Sequence, residues 1–205
     1  MGDRNQEVFL QNSLKKYHFS NILEIGSKDY GNSSQFKKLL NYENYIGVDL
    51  EDGKGVDLVL NLEEGLGPLI NKKFDLIILC SIIEHSKKPW LIGENIQSIL
   101  GDSGIIYSAH PWVWRYHKYP DDYFRFSPNG IKIIFDKVKY WLDPIYSTNR
   151  EGDFYSFAKN EGVDNDLAII NNQTGVKYLP YLQTLMLGTN SLKIFNELKK
   201  QNPEL

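Results

Sequence analysis

Short apolar runs alternate along this chain with stretches whose apolar positions recur at helical spacing. Residues 7–18 (EVFLQNSLKKYH) carry the helical spacing and predict a leading helix. Ile22–Ile25 follows as a first strand closed by Gly26, then a helix over Ser34–Leu40 and a second strand over Tyr45–Leu50. Val56–Leu60 reads as a third strand, and Phe74–Cys80 (FDLIILC), apolar almost throughout, as a fourth. Pro89–Leu100 predicts a helix that opens on proline and stops before Gly101, with a fifth strand at Ile105–Ser108. A helix from Pro128 to about Val138, a late strand at Leu167–Ile170 and an amphipathic helix over Ser191–Lys200 complete the reading. Apolar strands separated by helices are the mark of a parallel sheet covered on both faces. With right-handed crossovers, the expected fold class is α/β: a doubly wound, mostly parallel sheet in one domain spanning residues 1–205.

Composition narrows the picture. At 205 residues, 41% hydrophobic and 24% charged, the chain suits one globular domain with a real core. A net charge of −3 offers no basic footprint, so no nucleic-acid partner is expected. No apolar run reaches the roughly 20 residues of a membrane span, and MGDRNQEVFL lacks the apolar core of a secretory signal, so no membrane partner is expected. The one cysteine, Cys80, permits no intrachain disulfide, and a cytoplasmic location is the default expectation.

In open α/β sheets a ligand sits beyond the carboxyl ends of the strands, where the strand order reverses. Three features converge there. Leu23–Gly31 (LEIGSKDYG) is a strand running into a glycine turn, in which Gly26 permits a sharp bend and close approach. Glu24 supplies a carboxylate suited to a cationic group, and Ser27-Lys28 stands where a dinucleotide-binding turn would carry its second glycine. Asp49, 23 residues after Gly26, can accept hydrogen bonds from both hydroxyls of a ribose, and Asn61-Leu62-Glu63 offers polar and apolar groups to flank an adenine.

ILEIGSKDYG, YIGVDLEDGKGVDLVLNLEE and FDLIILCSIIEHSKKPW together resemble the class I S-adenosylmethionine-dependent methyltransferases, over about residues 20–136. Within them the chain looks like a branch whose glycine loop reads EIGS and which is found among genes for surface glycans. The resemblance implies a Rossmann-like methyltransferase fold and S-adenosylmethionine as cofactor, with S-adenosylhomocysteine as product. It implies that Glu24, Gly26 and Ser27 line the methionine part and Asp49 the ribose, while Leu50, Asn61 and Leu62 surround the adenine. Cys80 and Ser81 would border the sulfonium, with His85 also in the pocket.

Residues 110–126, HPWVWRYHKYPDDYFRF, hold seven aromatics, two histidines, two arginines and an aspartate pair. They follow the fifth strand and are expected to overhang the same edge as a substrate-side loop, residues 110–127. The branch named above carries a similar segment, here His117, Pro120, Asp122, Tyr123, Arg125, Phe126, Ser127, Pro128 and Gly130. A hydroxyl acceptor gains from a positioned base. His117 or His110 is the candidate base, with Asp121 or Asp122 to orient it or to bind substrate hydroxyls. Trp112, Tyr116, Tyr123 and Arg125 are candidate substrate contacts; core packing of the aromatics and an Asp122–Arg125 ion pair are the structural alternatives. No metal site is assigned, because the two histidines and two aspartates of this stretch lack tight ligand spacing. The expected activity is O-methyl transfer to a sugar or glycan precursor. The rivals are an NAD-dependent oxidoreductase on the same architecture and a non-catalytic binding scaffold.

Overall fold

A computed structural model of the chain describes residues 3–31, 36–118, 120–156 and 181–202. Helix α1 (Arg4–Leu14) starts earlier than the apolar spacing suggests, because Asp3 and Gln6 close a reciprocal capping box around its first turn. Strands β1 (His18–Ile25), β2 (Asn41–Asp49), β3 (Leu58–Val59), β4 (Phe74–Cys80) and β5 (Leu100–Val113) pair in parallel in the order β3-β2-β1-β4-β5. The order reverses between β1 and β4, which opens a crevice at their carboxyl ends. Beyond β5 the sheet turns antiparallel through β9 (Leu182–Thr189), β7 (Ile145–Ser147) and β8 (Phe154–Ser156), while β6 (Tyr140–Trp141) also pairs with β9.

Alternation along the strands sends successive side chains to opposite faces. Leu23, Ile25, Ile77 and Leu79 pack with Ile92 and Ile96 of α2 (Pro89–Ile99) and Ile131 of α3 (Pro128–Ile134). Ile22, Leu76, Ile78 and Cys80 pack on the other face, against Phe9 and Leu10 of α1 and Leu198 of α4 (Leu192–Gln201). The sheet is therefore covered on both sides. Among the described residues no helix is long and apolar enough to cross a membrane.

Three sequence expectations change. Of Ser34–Leu40, the described part holds one 3-10 turn, Phe36–Lys38, in which Phe36 alone is buried, so no apolar stripe supports a full helix. The fifth strand is 14 residues long, and its extension makes His110, Pro111 and Trp112 strand residues, so the substrate-side loop starts after Val113. At its start Gly104 lies where a Cβ would stand 2.7 Å from the Phe74 carbonyl oxygen, which explains glycine in this strand. The fully buried β9 was not foreseen, and the expected strand at Leu167–Ile170 lies outside the described residues.

Candidate functional site

A cleft of about 380 Å³ opens at the carboxyl ends of β1, β2, β3 and β4. Its walls include Gly26, Asp49, Leu50, Asn61, Leu62, Ser81, His85 and His117, eight of the residues singled out from sequence. Its volume falls in the range of small-molecule sites, and its mixture of apolar walls with a few carboxylates is typical of them.

The turn after β1 is held by Val48, whose carbonyl accepts from the backbone N–H of Gly26 (2.8 Å) and Ser27 (3.1 Å). Gly26 has φ 78°, which favours glycine, and a Cβ there would also push aside Ile82 Cδ1, 2.0 Å away. Asp49 receives the N–H of Lys28 on one carboxylate oxygen (3.1 Å) and that of Glu51 on the other (3.3 Å). Two of about four lone-pair positions are thereby used, and the remainder can accept from a ligand in the cleft. Leu50 is 59% exposed on the rim, while Leu62 is buried beneath it. Asn61 ties its own turn, with Oδ1 accepting from the Glu63 N–H and Nδ2 donating to Glu64.

Ser81, after β4, holds φ 53°, a left-handed conformation worth roughly 1–2 kcal/mol of strain for a residue with a side chain. Its N–H donates to the Ala109 carbonyl at 2.8 Å, and its Oγ accepts from Gln6 Nε2 at 3.1 Å. Gln6 also donates to Gln183 Oε1 at 2.8 Å, and Gln183 in turn donates to Asp3. Burial pushes the Asp3 carboxyl up, against the opposing pull of the Gln6 N–H and the Gln183 amide. Asp3 and Gln183 both wall the cleft. The sequence carried a weak signal for Asp3, the Asp-x-x-Gln capping box, and none for Gln183.

Strand parity removes two expected residues. Glu24 shares the face of Ile22, and its carboxylate accepts from the Tyr45 hydroxyl at 2.5 Å instead of walling the cleft. Burial pushes Glu24 up to about 7, with the Tyr45 hydrogen bond opposing. Cys80 lies on that face too, fully buried, and burial pushes its thiol up. Ser27 is likewise no part of the wall; its Oγ is buried without a hydrogen-bond partner.

The substrate-side candidates divide in the same way. His110 is completely buried, with Nδ1 donating to Glu84 Oε2 (3.2 Å) and Nε2 hydrogen-bonded with Ser108 Oγ (2.9 Å), and does not reach the cleft. Asp122 is an anchor for the loop: it takes both terminal nitrogens of Arg125 and the His117 N–H. Arg125 holds its carboxyl down at about 2, with burial opposing and the His117 N–H assisting. Arg125 also donates to the carbonyls of Trp114 and Arg115, so it pins the loop, and it is no part of the cleft wall. Asp121 offers its carbonyl to His85 Nδ1 and its carboxylate to the Tyr123 hydroxyl. Trp112 packs at a tilt against Tyr146, and Tyr116 and Tyr123 are exposed outside the cleft. Trp114, which sequence reasoning passed over, is the loop aromatic that walls the cleft, braced 4.4 Å from the Tyr181 ring.

His117 and His85 meet edge to face with centroids 4.8 Å apart. Behind them Glu84, with no exposed side-chain surface, leaves Oε1 without a hydrogen-bond partner, 3.8 Å from His85 Nε2. Burial raises the Glu84 carboxyl, but the hydrogen bond and charge of His110, with that of His85, outweigh it and hold the group below its ordinary range.

No protein-family model matches the chain, and no curated protein matches it in sequence. Its architecture does recur among solved structures. An S-adenosylmethionine-dependent methyltransferase from Archaeoglobus fulgidus is 16% identical, with 89% of this chain and 92% of that one covered at a TM-score of 0.57. The N-methyltransferase NodS from Bradyrhizobium japonicum, in complex with S-adenosyl-L-homocysteine, is 11% identical over 91% of this chain and 86% of its own, at 0.56. The YcgJ protein of Bacillus subtilis is 12% identical over 91% and 98%, at 0.60. The chain thus has the Rossmann-like α/β fold that these methyltransferases share.

Proposed function

We propose that this chain is an S-adenosylmethionine-dependent methyltransferase acting on a hydroxyl, with a sugar or glycan precursor as the acceptor class. One observation carries the reading: Gly26, Asp49, Leu50, Asn61 and Leu62, widely spaced in sequence, wall a single cleft at the strand-order reversal. The shared fold supports it, as does the S-adenosyl-L-homocysteine in the NodS structure.

The residues fit the donor. The Asp49 carboxylate has lone pairs left for two ribose hydroxyls, and Leu50 with Leu62 gives an adenine apolar surfaces. Asp3, beside Gln183 and Ser81, stands where Glu24 was expected and supplies a carboxylate for the ammonium of the methionine part. The bound donor contributes a sulfonium-activated methyl group for in-line displacement. Holding donor and acceptor in line supplies much of the acceleration. His117 is the loop histidine that reaches the cleft and the group proposed to take the acceptor's proton; Asp122 Oδ2 accepts from its backbone N–H and lies 3.2 Å from Nδ1. His110, buried behind Glu84, keeps that carboxylate in place.

Calorimetry should register S-adenosyl-L-homocysteine and not NAD. Labelled methyl transfer to nucleotide sugars and free deoxysugars should then be detected, and His117→Ala should abolish it while retaining homocysteine binding. Binding of NAD in place of the homocysteine would reject the donor. Labelling of amines, protein or RNA without sugars would reject the acceptor.

A further inference from the structure

Glu84, His85 and His117 each turn one ligand-type atom toward the others, all within 4.8 Å. All three wall the cleft. His85 Nδ1 donates to the Asp121 carbonyl, which turns Nε2 toward Glu84. There Nε2 stands 3.8 Å from Glu84 Oε1, a buried carboxylate oxygen without a hydrogen-bond partner. A buried carboxylate oxygen left unpaired costs free energy, and a cation held beside it would remove that cost.

From this geometry we infer that Glu84, His85 and His117 form a three-ligand site for a borderline divalent cation of the Zn²⁺, Co²⁺ or Fe²⁺ class. Two imidazoles and one carboxylate match the preference of such ions; Mg²⁺, which demands oxygen ligands, fits poorly. The outer groups are those that orient metal ligands. The Asp121 carbonyl accepts from His85 Nδ1, Asp122 accepts from the His117 backbone N–H, and His110 holds the second Glu84 oxygen. Ligand atoms around tetrahedral zinc lie about 3.4 Å apart, so side-chain movements of about 1 Å complete the site. Three protein ligands leave a position open toward the cleft, as in catalytic sites. The inference deepens the proposed activity and rests on it for its role. A hydroxyl coordinated there ionises more readily, so in the loaded protein His117 acts as a ligand and the proton leaves to water.

The test uses the full chain stripped with chelator and titrated with Co²⁺ and with Zn²⁺. Expected are one bound equivalent, visible ligand-field bands from Co²⁺, and a loss of affinity beyond about 10-fold in Glu84→Gln and His117→Asn, the scale that even outer groups reach. His117 sits on the loop, so His117→Asn keeps the test valid if Glu84→Gln fails to fold by circular dichroism. No stoichiometric uptake, or equal affinity in wild type and His117→Asn, overturns the site. S-adenosyl-L-homocysteine binding is measured in parallel on wild type. A cation bound without the homocysteine supports the site while removing the donor reading, and the homocysteine bound without a cation overturns the site alone.

Discussion

Replacing Glu24 with glutamine should stabilise the protein at alkaline pH and leave it nearly unchanged in acid. Glu24 is 9% exposed and rises from 4.5 to about 7, burial being the main cause. Between those values the folded chain keeps a proton that the unfolded chain has lost, so stability falls as pH rises from about 4.5 and levels off above about 7. At about 1.36 kcal/mol per pKa unit the full loss is about 3 kcal/mol. Glutamine mimics the protonated acid, still accepts from Tyr45, and removes that loss. For a chain of this size the difference corresponds to a midpoint roughly 6–12 °C higher at pH 8. Thermal and urea unfolding of wild type and Glu24→Gln from pH 5 to 8.5 would measure it. Parallel curves across that range would refute the reasoning, since they would mean that Glu24 ionises alike in both states.

Three further outcomes follow from the site. Gly26→Ala meets both the positive φ and Ile82, and should cost at least roughly 1–2 kcal/mol in urea unfolding and abolish S-adenosyl-L-homocysteine binding by calorimetry. Asp49→Asn removes charge-assisted acceptance and should weaken that binding roughly 10–100-fold, corresponding to about 1.5–3 kcal/mol. Arg125→Ala frees the loop anchor and should lower stability by a similar roughly 1.5–3 kcal/mol at neutral pH. Asp122 is depressed to about 2 from 3.8, so its stabilisation is present above about 4 and lost as pH falls through about 2; the gap between Arg125→Ala and wild type should narrow over that interval.

The centre of the parallel half was legible because β4 is apolar on both faces: FDLIILC is β4 residue for residue. The positions of Gly26 and Asp49 followed from the rule that ligands bind beyond strand ends, which depends on topology more than on side-chain detail. That Glu24 turns away from the cleft wall was not legible, because its direction depends on strand parity, and a carboxylate near the edge looks the same in sequence whichever face it takes. The partners that engage His110 and Arg125 were hidden for a related reason. A charged residue in a loop-like stretch reads as available, whereas here Glu84 and Asp122 already hold them. Asp3, Gln183 and Glu84 reach the cleft through contacts spanning up to 180 residues, to which local pattern is blind.

The bond from Gln183 to Asp3 has a consequence for biosynthesis. One side of the cleft is assembled from the first described helix and a strand that emerges from the ribosome only after some 180 further residues. A nascent chain with β1 to β5 complete would have the sheet's parallel half but an unfinished pocket, with β5 still a bare edge. Completion of the cleft is thereby deferred until β9 has been made, and a stop codon upstream of β9 would leave it without its Gln183 wall.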